Sequence, residues 1–275
     1  MPDFLLEIGT EEIPARMIAD AETVLGVRVA KLLLDQGLLP ANATVPTFST
    51  PRRLSVTAER IATFQSDVIE RITGPSISVA YKDGQPTPAA HAFAKKAGVD
   101  VAQLEKVTTS KGEYLSAQVT KKGRSAAEIL AENLPKEISA IYWPKNMYWR
   151  KPSERFVRPV RWVVAMLDDE VVPLEFDGVR AGKESRGHRI LSGGAVAIPR
   201  AGAAYVEALR SAKVLGRQER EQQIRKDLDA ATRTIPGARW REDKSLLETV
   251  VNLTEWPSVV LGSFDREYLQ LPLDF

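Results

Sequence analysis

The chain has 275 residues, of which 44% are hydrophobic and 27% charged, so it can bury a sizeable core and does not have a disordered or fibrous composition. It has no cysteine and only two histidines, His91 and His188, which excludes disulfides, thiolate metal sites and sites with three histidine ligands. The net charge of +2 is too small to indicate nucleic-acid binding by itself.

The amino-terminal sequence is unlike a signal peptide. Residues 1–15, MPDFLLEIGTEEIPA, carry four acidic side chains where a signal peptide has a basic end and an uninterrupted apolar stretch. No apolar run in the sequence is long enough to cross a bilayer. We therefore expect a cytoplasmic protein.

The first segment predicts a β-α-β-β arrangement. Residues 4–8 are an apolar strand candidate, and Pro14 marks a helix start because proline fits the first helical turn. Apolar residues at helical spacing follow until Gly37, which ends the helix. Two further strands are predicted at 44–49 and 54–61.

The central segment predicts a loop, a short helix, a strand and a longer helix. The Gly, Pro and Ser content predicts a loop at 74–85, and 86–97 is a helix that Gly98 ends. Alternating residues predict a strand at 113–120. Ser125 caps a helix that runs towards residue 141.

The last segment predicts a hairpin followed by helices. The apolar runs 161–167 and 171–176 flank three acidic residues and are predicted to be paired core strands, although the turn lacks the usual glycine. Helices are predicted at 200–213 and 216–234, and a buried element at 246–261.

These elements indicate an α+β protein of two or three modules with mixed or antiparallel sheets. The predicted modules are an amino-terminal α+β module at 1–73, a small α+β or linker module at 74–145 and a third α+β module at 146–275.

Charge and aromatic residues are concentrated in one segment. Residues 142–162, YWPKNMYWRKPSERFVRPVRW, contain six aromatic residues and a local charge of +5. RNA binding uses this mixture, because cations neutralise phosphates and aromatic rings stack on unpaired bases. In the alternative interpretation the aromatic residues are core and the cations a solvated rim, and alternation along a strand allows both.

Two other basic groups have open interpretations. Arg52 and Arg53 could bind phosphate through their guanidinium groups, or could pair internally with Glu7, Glu11 or Glu12. The basic loop at 180–189 could contact RNA or pair with the acidic carboxy-terminal segment. The candidate RNA-binding residues are Arg52, Arg53, Lys145, Arg150, Lys151, Arg155, Arg158, Arg161, Arg186 and Arg189.

No catalytic or metal-ligating residue is predicted. Neither histidine lies in a recognisable motif, and His188 is interpreted as a hydrogen-bonding loop residue. The Gly193-Gly194 pair is not followed by a P-loop lysine, which argues against a nucleotide site.

Several ordered segments resemble the β subunit of bacterial two-subunit glycyl-tRNA synthetase. They are FLLEIGTEEIPA at 4–15, STPRRL at 49–54, GPS at 74–76, KGEYL at 111–115, RFVRPVRW at 155–162, SRGHR at 185–189 and NLTEWPSVVLGSFDREYLQLP at 252–272. The set covers most of the chain, and its first and last members are long enough to be specific.

The resemblance implies a heterotetramer of two α and two β subunits. In it the α subunit activates glycine with ATP and magnesium, and the β subunit supplies binding of the tRNA for glycine. This segment would need no cofactor and is not expected to catalyse alone. Family members continue into an HD-like domain and an anticodon-binding region, so we expect this chain to be the amino-terminal segment of a longer polypeptide.

Two alternatives remain open for the segment. In part of this region the family also resembles the B3/B4 module of phenylalanyl-tRNA synthetase, so the segment could be an editing hydrolase, although a glycine site can exclude larger amino acids sterically. It could also be a purely structural assembly scaffold. Asn252, Glu255 and Trp256 could accordingly form either a buried polar network or a surface for the α subunit.

Overall fold

A computed structural model of the chain describes residues 1–82, 84–110, 112–150 and 154–270. They are organised in two units, one formed by Met1–Thr63 with Ala127–Phe275 and the other by Phe64–Ala126. Helices, one mixed sheet and several antiparallel sheets confirm the predicted α+β class. The predicted similarity to a B3/B4 module stays a prediction.

The strands and helices have the following bounds. The strands are β1 (Phe4–Thr10), β2 (Thr47–Thr50), β3 (Arg53–Ala58), β4 (Val68–Ser76), β5 (Tyr81–Lys82), β6 (Gln85–Pro86), β7 (Glu105–Thr109), β8 (Gly112–Lys121), β9 (Met147–Tyr148), β10 (Arg155–Phe156), β11 (Val160–Leu167), β12 (Glu170–Val171), β13 (Glu175–Phe176), β14 (Val179–Gly182), β15 (Glu184–Arg186) and β16 (Ala195–Ala197). The helices are α1 (Ala15–Asp35), α2 (Ile77–Ala80), α3 (Pro88–Ala97), α4 (Ala126–Ser139), α5 (Ala203–Ser211), α6 (Arg217–Arg233) and α7 (Lys244–Val251). Within the described part of the chain, no helix has both the length and the apolar character needed to span a membrane.

The larger unit is built on a seven-stranded sheet. Its order is β13-β14-β11-β1-β3-β2, with β12 paired to β11. Strand β1 is antiparallel to both of its neighbours, β11 and β3, whereas β11 and β14 are parallel. Every residue of β1 is buried, which is expected for a central strand covered on both faces. The predicted β-α-β-β arrangement of the first 60 residues is confirmed.

The two faces of β1 carry different residues because side chains alternate along a strand. One face joins a cluster that includes residues of β11 and α5, namely Leu5, Trp162, Val164, Met166, Ile198, Ala201, Tyr205, Leu209 and Val214. Alternation places Phe4, Leu6 and Ile8 on the opposite face, and all three are fully buried. Glu7 follows the same alternation as Leu5, so a carboxylate lies in the middle of an apolar layer.

The smaller unit is a three-stranded antiparallel sheet, β4-β8-β7, packed against short helices. The prediction of a loop at 74–85 is wrong, since β4 extends to Ser76 and is followed by α2 and the short strands β5 and β6. Among the described residues, β4 has β8 as its single partner strand and is therefore an edge strand. An edge strand tolerates Gly74 and Pro75 because half of its backbone needs no partner strand.

The two units differ from the predicted modules 1–73, 74–145 and 146–275. The reason is the position of β11, which pairs with β1 along its length, from Phe4 opposite Leu167 to Thr10 opposite Val160. The last part of the chain thus completes the sheet that the first part begins, and Phe64–Ala126 is an insertion between them.

The predicted hairpin is confirmed only near its turn. Met166 pairs with Val171 and Leu167 with Glu170, after which the second run leaves β11, and β13 pairs with β14 instead. Asp168 occupies the position for which a glycine is usual, with φ of 50°. Its carboxylate accepts hydrogen bonds from the Asp3 backbone and from Arg200, which stabilises a conformation that aspartate tolerates better than most residues.

The helices agree with the sequence patterns except at the carboxy-terminal end. Helices α1, α3, α4, α5 and α6 all overlap their predicted ranges. The predicted buried element at 246–261 is wrong at both ends, because Leu246 is 59% and Val260 is 85% exposed, and its buried positions are 251, 252, 255 and 257. Apolar composition alone does not show which apolar residues find a surface to cover them.

Gly9 allows the indole of Trp162 to approach the backbone of β1. A Cβ atom at Gly9 would lie 1.8 Å from Trp162 Cε2, far inside van der Waals contact. We expect Gly9→Ala to lower the free energy of unfolding by about 1–3 kcal/mol, measured by urea denaturation. The matched control is Gly182→Ala in β14, where an added Cβ meets no heavy atom within 4 Å. Equal losses for the two variants would contradict this account.

Candidate functional site

The predicted RNA-binding cations separate into buried and exposed groups. Arg53 is 0% exposed and Arg52 is 7% exposed, although both are charged and adjacent in sequence. The other candidates within the described residues lie at the surface or are half-buried. Lys151 lies outside the described residues. Burial of two charged side chains requires compensating carboxylates and hydrogen bonds.

Glu7 supplies the first compensating carboxylate. It is fully buried, and its oxygens accept hydrogen bonds from Trp162 Nε1, the Ser185 hydroxyl and the Tyr205 hydroxyl. Arg53 Nη1 lies 3.5 Å from Glu7 Oε2. Strands β1, β11 and β15 and helix α5 therefore meet at one carboxylate.

Glu255 supplies the second carboxylate from the segment after α7. It accepts hydrogen bonds from Arg52 Nη2 at 2.8 Å, Arg53 Nη2 at 3.2 Å and Thr50 Oγ1 at 2.8 Å. The same two arginines donate to backbone oxygens of the 185–189 loop, Arg52 to Gly187 at 2.6 Å and Arg53 to Arg186 at 2.6 Å. We call Glu7, Arg52, Arg53, Tyr205 and Glu255 the buried ionic cluster.

Two members of the buried ionic cluster, Glu255 and Tyr205, have pKa values that are shifted in opposite directions. Burial by itself would raise the pKa of Glu255, but Arg53 and Arg52 together with hydrogen bonds from Arg52 and Thr50 outweigh it and lower the pKa. Burial and the neighbouring Glu7 carboxylate raise the pKa of the Tyr205 phenol well above its usual value. Tyr205 therefore remains a neutral donor to Glu7.

Arg52 and Arg53 are accordingly corrected from surface cations to internal ones. The pairing of Arg53 with Glu7 is one of the alternatives left open by the sequence, whereas the pairing of both arginines with Glu255 was not expected. Asn252 and Glu255 are buried, so in this structure they belong to a buried polar network. Trp256 is half-buried, with Lys213 Nζ 4.5 Å from its ring centroid.

Three of the remaining candidates surround the acidic turn after β1. Arg189 Nη2 lies 2.7 Å from Glu11 Oε2, and Arg161 Nε lies 3.4 Å from Glu11 Oε1. Arg158 Nε donates to the backbone oxygen of Glu12 at 2.9 Å. The side chains of Arg161 and Arg189 are 56% and 53% exposed, so solvent screens these pairs strongly.

The other candidates lie in residues 142–162, which we call the basic segment, or in the 185–189 loop. Arg155 in β10 stacks on Tyr148, with its guanidinium carbon 4.4 Å from the ring centroid. Arg150 donates to the backbone oxygen of Val160 at 2.6 Å, and its side chain is 39% exposed. Lys145 and Arg186 are exposed.

Three of the six aromatic residues of the basic segment belong to the core. Trp143, Phe156 and Trp162 are buried, and edge-to-face contacts join Trp143 to Phe156 at 5.1 Å and Phe156 to Phe176 at 5.5 Å. Tyr142 and Tyr148 are exposed. The segment thus combines an aromatic core with cations at the surface.

Arg220 is a buried cation that the sequence did not reveal. It donates to backbone oxygens of Val251 at 2.9 Å, Ser49 at 2.8 Å and Leu215 at 2.6 Å. Burial lowers its pKa to about 10. In the sequence it lies among the many charges of 216–234, and helical spacing alone does not distinguish it from its solvated neighbours.

The described residues hold no group of three or more His, Asp or Glu side chains arranged to bind a metal. His188 Nδ1 accepts hydrogen bonds from the backbone nitrogens of Ile190 at 3.2 Å and Leu191 at 3.1 Å, which is a loop-stabilising role.

Comparison with known proteins identifies the family. The model of a family described as glycyl-tRNA synthetase beta subunit matches residues 4–275. The chain belongs to this family. Relatives include glycine–tRNA ligase beta subunits of Acidobacterium capsulatum, 60% identical over 99% of this chain, and of Myxococcus xanthus, 42% identical over 98%. A third, from Trichodesmium erythraeum, is 38% identical over 98% of the chain.

The match to these family members is partial in length. The chain spans 39% of the Acidobacterium capsulatum protein and 38% of each of the other two. The family resemblance inferred from the ordered motifs is therefore confirmed for a segment that corresponds to about two fifths of those relatives.

The buried ionic cluster predicts a pH-dependent stability. Because the pKa of Glu255 is lower in the folded chain than its ordinary value of about 4.3, its charge stabilises the fold fully above about pH 5 and loses this effect as the pH falls through the folded value. We expect Glu255→Gln to lower the free energy of unfolding at pH 7 by about 3–5 kcal/mol and to weaken the loss of stability below about pH 4.

Denaturant melts from pH 3 to 8 would measure both effects. The control is Glu248→Gln, because Glu248 also pairs with an arginine, Arg217 at 2.6 Å, but is 54% exposed. We expect that variant to change the free energy by at most about 1 kcal/mol. A Glu255 variant that behaved like the control would refute the role given to the cluster.

Proposed function

We propose that this chain is the amino-terminal segment of the β subunit of glycine–tRNA ligase and that it supports glycyl-tRNA formation by binding the tRNA for glycine. Family membership supports the enzyme. The observation that carries the tRNA-binding role is the basic segment, whose buried aromatic residues hold Arg155 and Arg161 with their charged groups exposed.

The surface arginines form only weak ion pairs, so they remain able to bind phosphates. The pairs of Arg161 and Arg189 with Glu11 are half-exposed, and such pairs contribute only about 0–1 kcal/mol. A polyanion gains more by neutralisation and counterion release, so RNA phosphates can replace Glu11 as the partner of these arginines. Arg52 and Arg53 take no part, because their guanidinium groups are held inside the protein.

In this proposal the catalytic site of the ligase lies on another subunit. In this proposal ATP and magnesium serve an α subunit that activates glycine, and two α and two β subunits form the complete enzyme. The segment described here contributes positioning of the tRNA and stable folding of the β subunit.

Salt dependence of tRNA binding tests the proposal. We expect the double variant Arg155→Ala/Arg161→Ala to weaken binding of the glycine tRNA by the complete enzyme, and to reduce the log–log slope of affinity against salt by roughly 0.7–0.9 per lost phosphate contact. Filter binding between 50 and 300 mM salt would measure the slope.

The matched control is Arg200→Ala/Arg210→Ala, which removes the same charge. Both side chains are exposed, at 59% and 46%, and both pair with a carboxylate. We expect the control to leave the slope unchanged. If affinity and slope were unchanged in the Arg155/Arg161 variant as well, the proposed contact surface would be wrong.

A further inference from the structure

A cleft of about 440 Å³ opens between the first half of α1 and the start of the basic segment. Met17, Val24 and Pro144 line it with apolar surface, and Tyr142 and Trp143 add aromatic rings. Its volume lies within the range of about 300–1,000 Å³ that is usual for sites of small organic groups. The cleft is separate from the buried ionic cluster and is open to solvent.

Tyr142 is the unusual feature of this cleft. It is 78% exposed, whereas the next residue, Trp143, is only 4% exposed and is fixed by its edge-to-face contact with Phe156. The buried Trp143 therefore fixes the backbone next to Tyr142, whose ring is exposed to solvent. An exposed ring next to an apolar wall is suited to stack on a planar group, and nucleic-acid bases are stacked in this way by single-strand binding proteins.

The charges around the cleft favour a base inside and phosphates outside. Arg16 lies on the lining and is exposed, and the exposed Lys145 follows Pro144 directly in the chain. Asp20 also lies on the lining, so a phosphate within the cleft would be repelled. A carboxylate at that position can instead accept a hydrogen bond from an amino group of a base.

We propose that this cleft, the Tyr142 cleft, binds one unstacked base of a single-stranded part of the tRNA. The base stacks on Tyr142, donates from an amino group to Asp20, and leaves its flanking phosphates to Arg16 and Lys145. The inference rests on the proposed tRNA-binding function and names the part of the RNA that this segment selects. Continuity of the cleft with the basic segment, through residues 142–145, favours RNA over a protein partner.

Three variants of the complete enzyme test the Tyr142 cleft, with unmodified glycine tRNA transcript as the probe. We expect Tyr142→Ala to weaken binding by roughly 5- to 150-fold, the range for loss of one stacked base. Tyr142→Phe keeps the ring and should retain near-normal affinity. Tyr268→Ala removes a tyrosine that is 56% exposed and lies outside the cleft lining, so it should have no effect.

The salt slope separates this inference from the proposed function. Tyr142→Ala removes no phosphate contact, so its slope should equal that of the parent enzyme while its affinity falls. Normal affinity of Tyr142→Ala, with a reduced slope in the Arg155/Arg161 variant, would overturn the Tyr142 cleft and leave the tRNA-binding function standing. No effect of any of these variants would overturn both.

Two further measurements distinguish a lost base contact from a loss of folding or of subunit assembly. Because Tyr142 is exposed, we expect Tyr142→Ala to leave the thermal midpoint unchanged, and ultraviolet crosslinking of the parent enzyme to tRNA should label a peptide that contains Tyr142. If Tyr142→Ala instead impaired assembly of the subunits, as measured by analytical ultracentrifugation, at unchanged RNA affinity, the cleft would be a protein-binding surface and the inference would be wrong.

Discussion

The structure of the larger unit depends on two opposite charges buried at the centre of its sheet. Glu7 lies on β1 and Arg53 at the start of the neighbouring β3, and neither side chain is exposed. A buried charge without its partner is strongly destabilising, so each requires the other and the hydrogen bonds around it. Glu255 pairs with both Arg52 and Arg53 and so balances the second buried positive charge. The need for this pairing fixes the position of Glu255 in the fold.

Five of the segments by which the chain resembles its family meet at this cluster. FLLEIGTEEIPA contributes Glu7, STPRRL contributes Arg52 and Arg53, and NLTEW contributes Glu255. RFVRPVRW and SRGHR contribute Trp162 and Ser185, which donate to Glu7. These motif residues therefore stabilise the fold. The presence of an arginine in such a motif does not by itself indicate that the arginine contacts RNA.

The basic segment contributes both to the core and to the charged surface, because successive side chains of a strand point to opposite faces. Phe156 and Trp162 are buried, while Arg155 and Arg161, each one residue earlier, are exposed. Alternation thus converts one aromatic and basic sequence into an apolar anchor and a cationic surface. Glu11, in the acidic turn after β1, forms weak ion pairs with Arg161 and Arg189 on that surface. A polyanion that binds these arginines more strongly can displace the Glu11 carboxylate.

The sequence by itself determined the family, the α+β class and the periodic elements, because helical spacing, alternation and caps are local and leave a pattern in consecutive residues. It did not determine that 64–126 is an insertion, since the pairing of β11 with β1 joins residues 150 or more positions apart. Nor could it separate Arg53 and Arg220, which are buried, from Arg155 and Arg161, which are not. Whether an arginine is buried depends on carboxylates and carbonyl oxygens brought from distant segments, and only the tertiary structure decides which of them arrive.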